Sequence, residues 1–175
     1  SKYAKEDSKY QVSTQSICDQ ITEATKLIYL ANPNNPTGTY LKRSEIVKLM
    51  QSLPKQVVVV LDGAYAEYVI EKDYDKGFSL ADEFENIILT RTFSKSYGLA
   101  GLRIGWCYAS SKVTSILNKV KGPFNTTFIS QEIAIAALKD QDHINRVTNT
   151  NLEVKEWFEN ELKYLNIQTR PSVAN

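Results

Sequence analysis

Three polar side chains of this chain each stand just beyond an aliphatic run, and together they could carry out carbonyl chemistry. Lys95 lies in Arg91-Thr92-Phe93-Ser94-Lys95-Ser96-Tyr97-Gly98-Leu99-Ala100-Gly101-Leu102-Arg103, directly after Asn86-Ile87-Ile88-Leu89-Thr90. Asp62 ends the run Val57-Val58-Val59-Val60-Leu61, and Asn35 follows Lys26-Leu27-Ile28-Tyr29-Leu30-Ala31 inside Asn32-Pro33-Asn34-Asn35-Pro36-Thr37-Gly38. A primary amine on a flexible stem condenses with an aldehyde, and the hydroxyls of Thr92 and Ser94 with the planar fork of Arg103 suit a phosphate on the same ligand. A carboxylate such as Asp62 keeps a nearby ring nitrogen protonated by favouring its charged form. The amide of Asn35 and the phenol of Tyr65, three residues after Asp62, can donate to a phenolate oxygen. Pyridoxal 5'-phosphate makes all of these demands, because its protonated ring acts as an electron sink.

Such groups act together only if the fold brings them together. The runs at 26–31, 57–61 and 86–90 read as strands with helix-like stretches between them. In a compact domain this order predicts an α/β fold, a parallel sheet with right-handed crossovers flanked by helices. Ligands of such sheets bind outside the carboxyl ends of the strands, so Asn35, Asp62 and Lys95 are expected in one crevice. Pro33 and Pro36 cannot donate backbone hydrogen bonds, and the asparagine-rich stretch reads as the turn that ends the first strand.

Around this frame, Tyr10-Gln11-Val12 is a weak strand candidate and Asp19 to Ala24 a short helix. Arg43 to Leu53 puts Ile46, Leu49, Met50 and Leu53 on one helical face, closed by Pro54. The run at 57–61 does not alternate, which suits a strand buried on both faces. Leu102 to Tyr108 reads as a further strand. Ser110 or Ser111 caps the next helix, whose inner face is Val113, Ile116, Leu117 and Val120, and Gly122-Pro123 breaks it. Phe128 to Leu138 reads as a fully packed helix. From Asp140 to Leu165, Ile144, Val147, Val154, Phe158, Leu162 and Leu165 recur at helical spacing, a long amphipathic helix.

Composition narrows the partners. With 21 basic and 20 acidic residues there is no field to steer nucleic acid or acidic membranes, and 42% apolar residues in 175 suffice for one core. No apolar stretch approaches the ~20 residues of a membrane span. Cys18 and Cys107 are far apart and read as small buried or half-buried residues of a reducing compartment, so a cytoplasmic location is expected. Gly98, Gly101 and Gly105 have the wrong spacing for a dinucleotide loop and read as sites of close backbone packing. His143, the only histidine, reads as solvated, and one histidine cannot make the usual zinc cluster. A Ser94-Lys95 hydrolase dyad lacks oxyanion partners and leaves Asp62 without a role.

The segments Asn32 to Gly38, Asp62-Gly63-Ala64-Tyr65-Ala66-Glu67-Tyr68 and Thr92 to Gly105 resemble, in order and spacing, the central part of fold-type I aminotransferases, most closely the histidinol-phosphate aminotransferases. The resemblance implies a three-layer αβα fold of the large-domain type, with the strand near residues 102–108 as its single antiparallel member. It implies that Lys95 bonds to pyridoxal phosphate and moves the substrate proton, Asp62 pairs with the pyridine nitrogen, Asn35 and Tyr65 contact the ring oxygen, and Thr92, Ser94 and Arg103 hold the phosphate. Gly63 departs from the pattern, which more often has an acidic residue there. The implied organisation is residues 1–165 as the pyridoxal phosphate-binding large domain, incomplete at its amino end, and 166–175 as the start of a small domain. Ser1 is not Met, and Arg170-Pro171-Ser172-Val173-Ala174-Asn175 resembles the start of a small-domain strand, so an internal segment is expected. The family's carboxylate-binding arginine would then follow Asn175, and its ring-stacking aromatic would precede Ser1. The implied activity is transamination between histidinol phosphate and 2-oxoglutarate in a homodimer, with Asn125 near the neighbouring subunit's site. An aromatic or broad-specificity aminotransferase, a noncatalytic pyridoxal-binding domain of a regulator, and an interaction segment without cofactor remain alternatives.

Overall fold

A computed structural model describes residues 1–175. Its centre is a sheet of β1 (Leu27–Ala31), β2 (Val58–Asp62), β3 (Ile87–Thr92) and β4 (Gly105–Ala109), in that order. The first three strands are parallel and β4 is antiparallel to β3. Helices α1 (Thr14–Cys18), α2 (Arg43–Ser52) and α3 (Phe78–Glu83) precede β4; α4 (Ser111–Val120), α5 (Phe128–Lys139) and α6 (Gln141–Tyr164) follow it.

The strands alternate because one face of the sheet is the core. Leu30, Val59, Leu61, Ile87 and Leu89 point into it and meet Ile17 of α1, Ile46, Leu49 and Met50 of α2, and Leu80 of α3. The Glu45 carboxylate accepts the Lys42 N–H at 2.8 Å, which starts α2, and Leu53 and Pro54 end it. A smaller cluster joins Phe93 and Ile104 to Ala134 of α5.

The turn after β1 is clamped by Asn32, only 1% exposed. Its side chain accepts the Leu41 N–H at 2.7 Å and donates to the Leu41 carbonyl at 3.1 Å, while its backbone carbonyl accepts the Tyr74 hydroxyl at 2.7 Å. Farther along the turn, Gly38 has φ +68, and a Cβ there would lie 2.6 Å from the Cβ of Ser172. The chain end is held at the same place: Val173 N–H donates to the Gly38 carbonyl at 3.0 Å, Lys155 Nζ to the Ser172 carbonyl at 2.7 Å, and Asn151 to the Ala174 carbonyl at 3.1 Å.

Several expectations shift. Tyr10 to Val12 is not a strand; Val12 makes one isolated bridge to Glu6, and Asp7 caps the turn between them. The first helix lies at Thr14–Cys18, where Ser13 accepts the Ser16 N–H at 3.0 Å, and Asp19 ends it rather than begins one. The strand expected from Leu102 starts at Gly105, because Ala100–Leu102 forms a 3-10 turn and Arg103 turns left-handed. β2 is not buried on both faces, since Val58 and Val60 are half-covered, and on β1 Tyr29 is 76% exposed. The inner face expected for α4 and the packing expected around α5 are largely open: Ile116, Val120, Phe128, Ile129 and Ile135 are exposed. Helical spacing located these helices correctly, but no element of the chain covers those faces.

Smaller corrections concern single residues. Gly98 and Gly101 have nothing near a Cβ, and only Gly105 shows the close packing expected, against the Arg91 carbonyl. Cys18 is half-buried, whereas Cys107 is exposed. His143 is half-buried with its Nε2 enclosed and without a hydrogen-bond partner, not solvated. No helix is long and apolar enough to cross a membrane.

Candidate active site

The sheet register sets the site. Ala31 and Asp62, the last residues of β1 and β2, lie side by side, and Asp62 lies beside Thr90, two residues before the end of β3. Asn35 and Lys95 follow the ends of β1 and β3 while Asp62 is the last residue of β2, and the first two loops are joined to their neighbours by backbone bonds. Asn32 N–H donates to the Asp62 carbonyl at 2.8 Å and Gly63 N–H to the Thr90 carbonyl at 3.0 Å.

An open pocket of about 480 Å³ lies outside these ends, within the size range of small-molecule sites. Asp62, Thr92, Ser94, Lys95 and Arg103 line it, joined by Ala64 and Ala100, whose small side chains leave it free. Two larger hollows, about 710 Å³ along α6 and about 620 Å³ beside β1, bring no carboxylate side chain next to an amine. The chemistry therefore belongs to the smaller one.

Each group is oriented by its own loop. The Ala64 N–H donates to Asp62 Oδ1 at 3.0 Å, which fixes the carboxylate at the end of β2. Thr92 accepts the Ser94 N–H at 3.0 Å and turns the chain out of β3. The Lys95 loop closes through Gly98 N–H to the Lys95 carbonyl at 2.8 Å, with Gly98 at φ +69. Arg103 is held at φ +48, a backbone cost of about 1 kcal/mol for a residue with a Cβ. Its guanidinium donates to the Ala100 carbonyl at 2.8 Å, and Ser130 at the start of α5 donates to the neighbouring Leu102 carbonyl at 3.1 Å.

Asn35 and Tyr65 stand beside the pocket rather than in its wall. The Asn35 amide donates to the Tyr65 hydroxyl at 3.1 Å, and Lys95 Nζ lies 5.1 Å from the centre of the Tyr65 ring. Tyr68, next along, has its phenol pushed up, chiefly by burial and then by the Glu67 charge, so it stays a neutral donor. Lys95 and Asp62 are exposed, open to a ligand.

The donor set fits a phosphorylated pyridine aldehyde. One amine, one carboxylate, two guanidiniums and three hydroxyls line the pocket, and the amide–phenol pair adjoins the amine. Sequence reasoning missed Arg91, which lines the same pocket yet is 6% exposed, and its partner Glu67, 3.5 Å from Arg91 Nε. The signal was present: Arg91 shares the buried face of β3 with Ile87 and Leu89, and a guanidinium there requires a carboxylate.

Comparisons with known proteins show the family. The model of the family Aminotransferase class I and II matches residues 1–166. A histidinol-phosphate aminotransferase of Zymomonas mobilis is 42% identical over 172 residues, covering 97% of this chain and 47% of its own length. One of Granulibacter bethesdensis is 46% identical over 160 residues, covering 91% and 43%. Among solved structures, the histidinol-phosphate aminotransferase of Sinorhizobium meliloti in complex with pyridoxal-5'-phosphate matches with a TM-score of 0.88 at 32% identity, over 97% of this chain and 46% of that one. The chain spans about half the length of the curated relatives it matches.

Proposed function

Because the chain belongs to the aminotransferase class I and II family, we propose that its residues serve pyridoxal phosphate-dependent transamination, moving an amino group from histidinol phosphate to 2-oxoglutarate, with imidazole-acetol phosphate and L-glutamate as products. The observation that carries the chemistry is the shared pocket of Lys95 and Asp62 at adjacent strand ends. The names of relatives at 42–46% identity support the substrate.

When bound, pyridoxal phosphate supplies an electron sink for the bonds at the substrate α-carbon. Lys95 Nζ would be the covalent anchor and, once free, the base that carries the proton from that carbon to the cofactor. The Asp62 carboxylate keeps the proton on the ring nitrogen. Asn35 and Tyr65 donate to the ring oxygen, and Arg103, Thr92 and Ser94 hold the phosphate. In this reading residues 1–165 are the cofactor-binding large domain and 166–175 begin a small one. The end of α6 at Tyr164 supports that boundary. A homodimer, with Asn125 facing the neighbouring subunit, follows the family. A free and exposed Cys107 suits a reducing cytoplasm.

The test is a pyridoxal phosphate titration followed by absorbance, borohydride trapping and peptide mass mapping. The expected label sits on Lys95 and is lost in Lys95→Ala; an unaltered chromophore in that variant refutes the assignment. For the substrate, histidinol phosphate is expected to bleach the chromophore in a single turnover faster than phenylalanine or tyrosine. Equal bleaching by all three removes the histidine-pathway reading.

A further inference from the structure

We propose that Arg91, Glu67 and Ser96 form a buried staple that holds the Asp62–Tyr65 loop against the Lys95 loop, and that Gly63 is glycine because the staple passes through the space a side chain would take. The inference rests on the functional reading above and deepens it by naming positioning residues that act through the loops of Asp62, Tyr65 and Lys95.

The argument starts from a charge in the core. Arg91 points to the buried face of β3 and is 6% exposed, so its guanidinium must be paired and hydrogen-bonded. Its Nε lies 3.5 Å from Glu67 Oε1, and its two terminal nitrogens donate to the Thr90 carbonyl at 3.2 Å and to the Lys76 carbonyl. Glu67 sits two residues after Tyr65 and is itself largely covered. Its second oxygen accepts the hydroxyl of Ser96 at 3.4 Å, and Ser96, 1% exposed, is the residue directly after Lys95. One carboxylate thus joins the loop of Asp62 and Tyr65 to the loop of Lys95, with an arginine of the strand between as its counter-charge.

Gly63 completes the case. A Cβ built there falls on the Arg91 guanidinium, so any side chain at 63 evicts the arginine from its place. The glycine that departs from the family pattern beside Asp62 is in this fold the gap through which the staple runs. Its consequence is the 5.1 Å approach of Lys95 Nζ to the Tyr65 ring, which depends on the two loops keeping their spacing.

Hydrogen–deuterium exchange of the cofactor-free chain, read at residues 63–68 and 94–99, tests the staple without reference to activity. Glu67→Gln, Ser96→Ala and Gly63→Ala are each expected to speed exchange at 94–99 by about five- to tenfold, the worth of roughly one hydrogen bond. Arg91→Lys, which keeps the charge and loses the fork, is expected to fall between wild type and Glu67→Gln. Gly122→Ala, with nothing near its Cβ, is the unchanged control. With pyridoxal phosphate added, the folded staple variants are expected to bind about tenfold more weakly and to shift the pH titration of the Lys95-bound chromophore, which a merely structural defect does not do. Unchanged exchange at 94–99 in folded Glu67→Gln overturns the staple, and if that variant does not fold, Ser96→Ala, which removes only a hydroxyl, decides. Faster exchange with unchanged affinity and titration overturns the positioning role. If the wild type binds no pyridoxal phosphate, the functional reading fails and exchange alone judges the staple.

Discussion

Asp62 carries the most exacting single-residue expectation, because its charge matters only through the ring nitrogen it serves. Asp62→Asn keeps the shape and the hydrogen bond from Ala64 but removes the charge, and exchange of the substrate α-hydrogen is expected to slow by about 10²–10⁴-fold. Loss of α-deuterium from labelled histidinol phosphate, followed by NMR, measures it. Lys95→Arg is the complementary change: the positive charge stays, the condensing amine goes, and borohydride trapping at position 95 is expected to vanish by mass mapping. Asn35, Asp62 and Lys95 of this candidate site could be picked out in the sequence because their types are chemically narrow and each stands just past an aliphatic run. Arg91 and Glu67 were missed: the alternation of β3 marks Arg91 as inward-facing, but nothing in the spacing names the carboxylate that pairs with it. Gly63 read as a departure from pattern because nothing local shows what occupies the missing side chain's place.

The turns and helices hold the site through buried polar contacts and surface charge. Asn32 satisfies both backbone groups of Leu41, so Asn32→Ala leaves a buried donor and acceptor unpaired; a loss of about 2–4 kcal/mol in urea unfolding is expected. At the start of α2, Asp73 accepts the Tyr40 hydroxyl at 2.6 Å and lies 2.8 Å from Lys42 Nζ. Lys42 and Tyr40 hold the Asp73 carboxyl below its ordinary range, while burial and then Asp73 push the Tyr40 phenol up to about 12. A depressed carboxyl adds stability that is present above its unfolded value and lost as pH falls through the folded one; a raised phenol adds stability that is lost as pH rises through the folded value. Asp73→Asn is therefore expected to flatten the thermal stability profile at both its acid and alkaline ends, read by Tm against pH. Periodicity placed α2 and α6 well because their apolar spacing repeats over several turns. It misplaced α1, whose five residues are started by Ser13 and are too short to show a period.

At the scale of the whole molecule the apolar surface is unevenly covered. One sheet face is sealed by α1 to α3, while the other shows Tyr29, and α4 and α5 expose Ile116, Val120, Phe128 and Ile129. Exposed apolar side chains in this number favour association, so the 175-residue chain is expected to self-associate as its concentration rises and to bind an apolar dye; sedimentation velocity over a dilution series checks it. Composition showed enough apolar residues for a core, and strand order showed the parallel sheet and the crevice at its carboxyl ends. Neither showed which faces would find a cover, because burial belongs to neighbours and not to spacing.

The hold on residues 172–174 has a mechanical consequence. Val173 grips Gly38, three positions from Asn35, while Lys155 and Asn151 anchor the same tail to α6. A tug on residues 172–174 is expected to reach the Asn35 amide beside Tyr65 through the three peptide bonds from Gly38, a lever on the site with the long helix as its fulcrum.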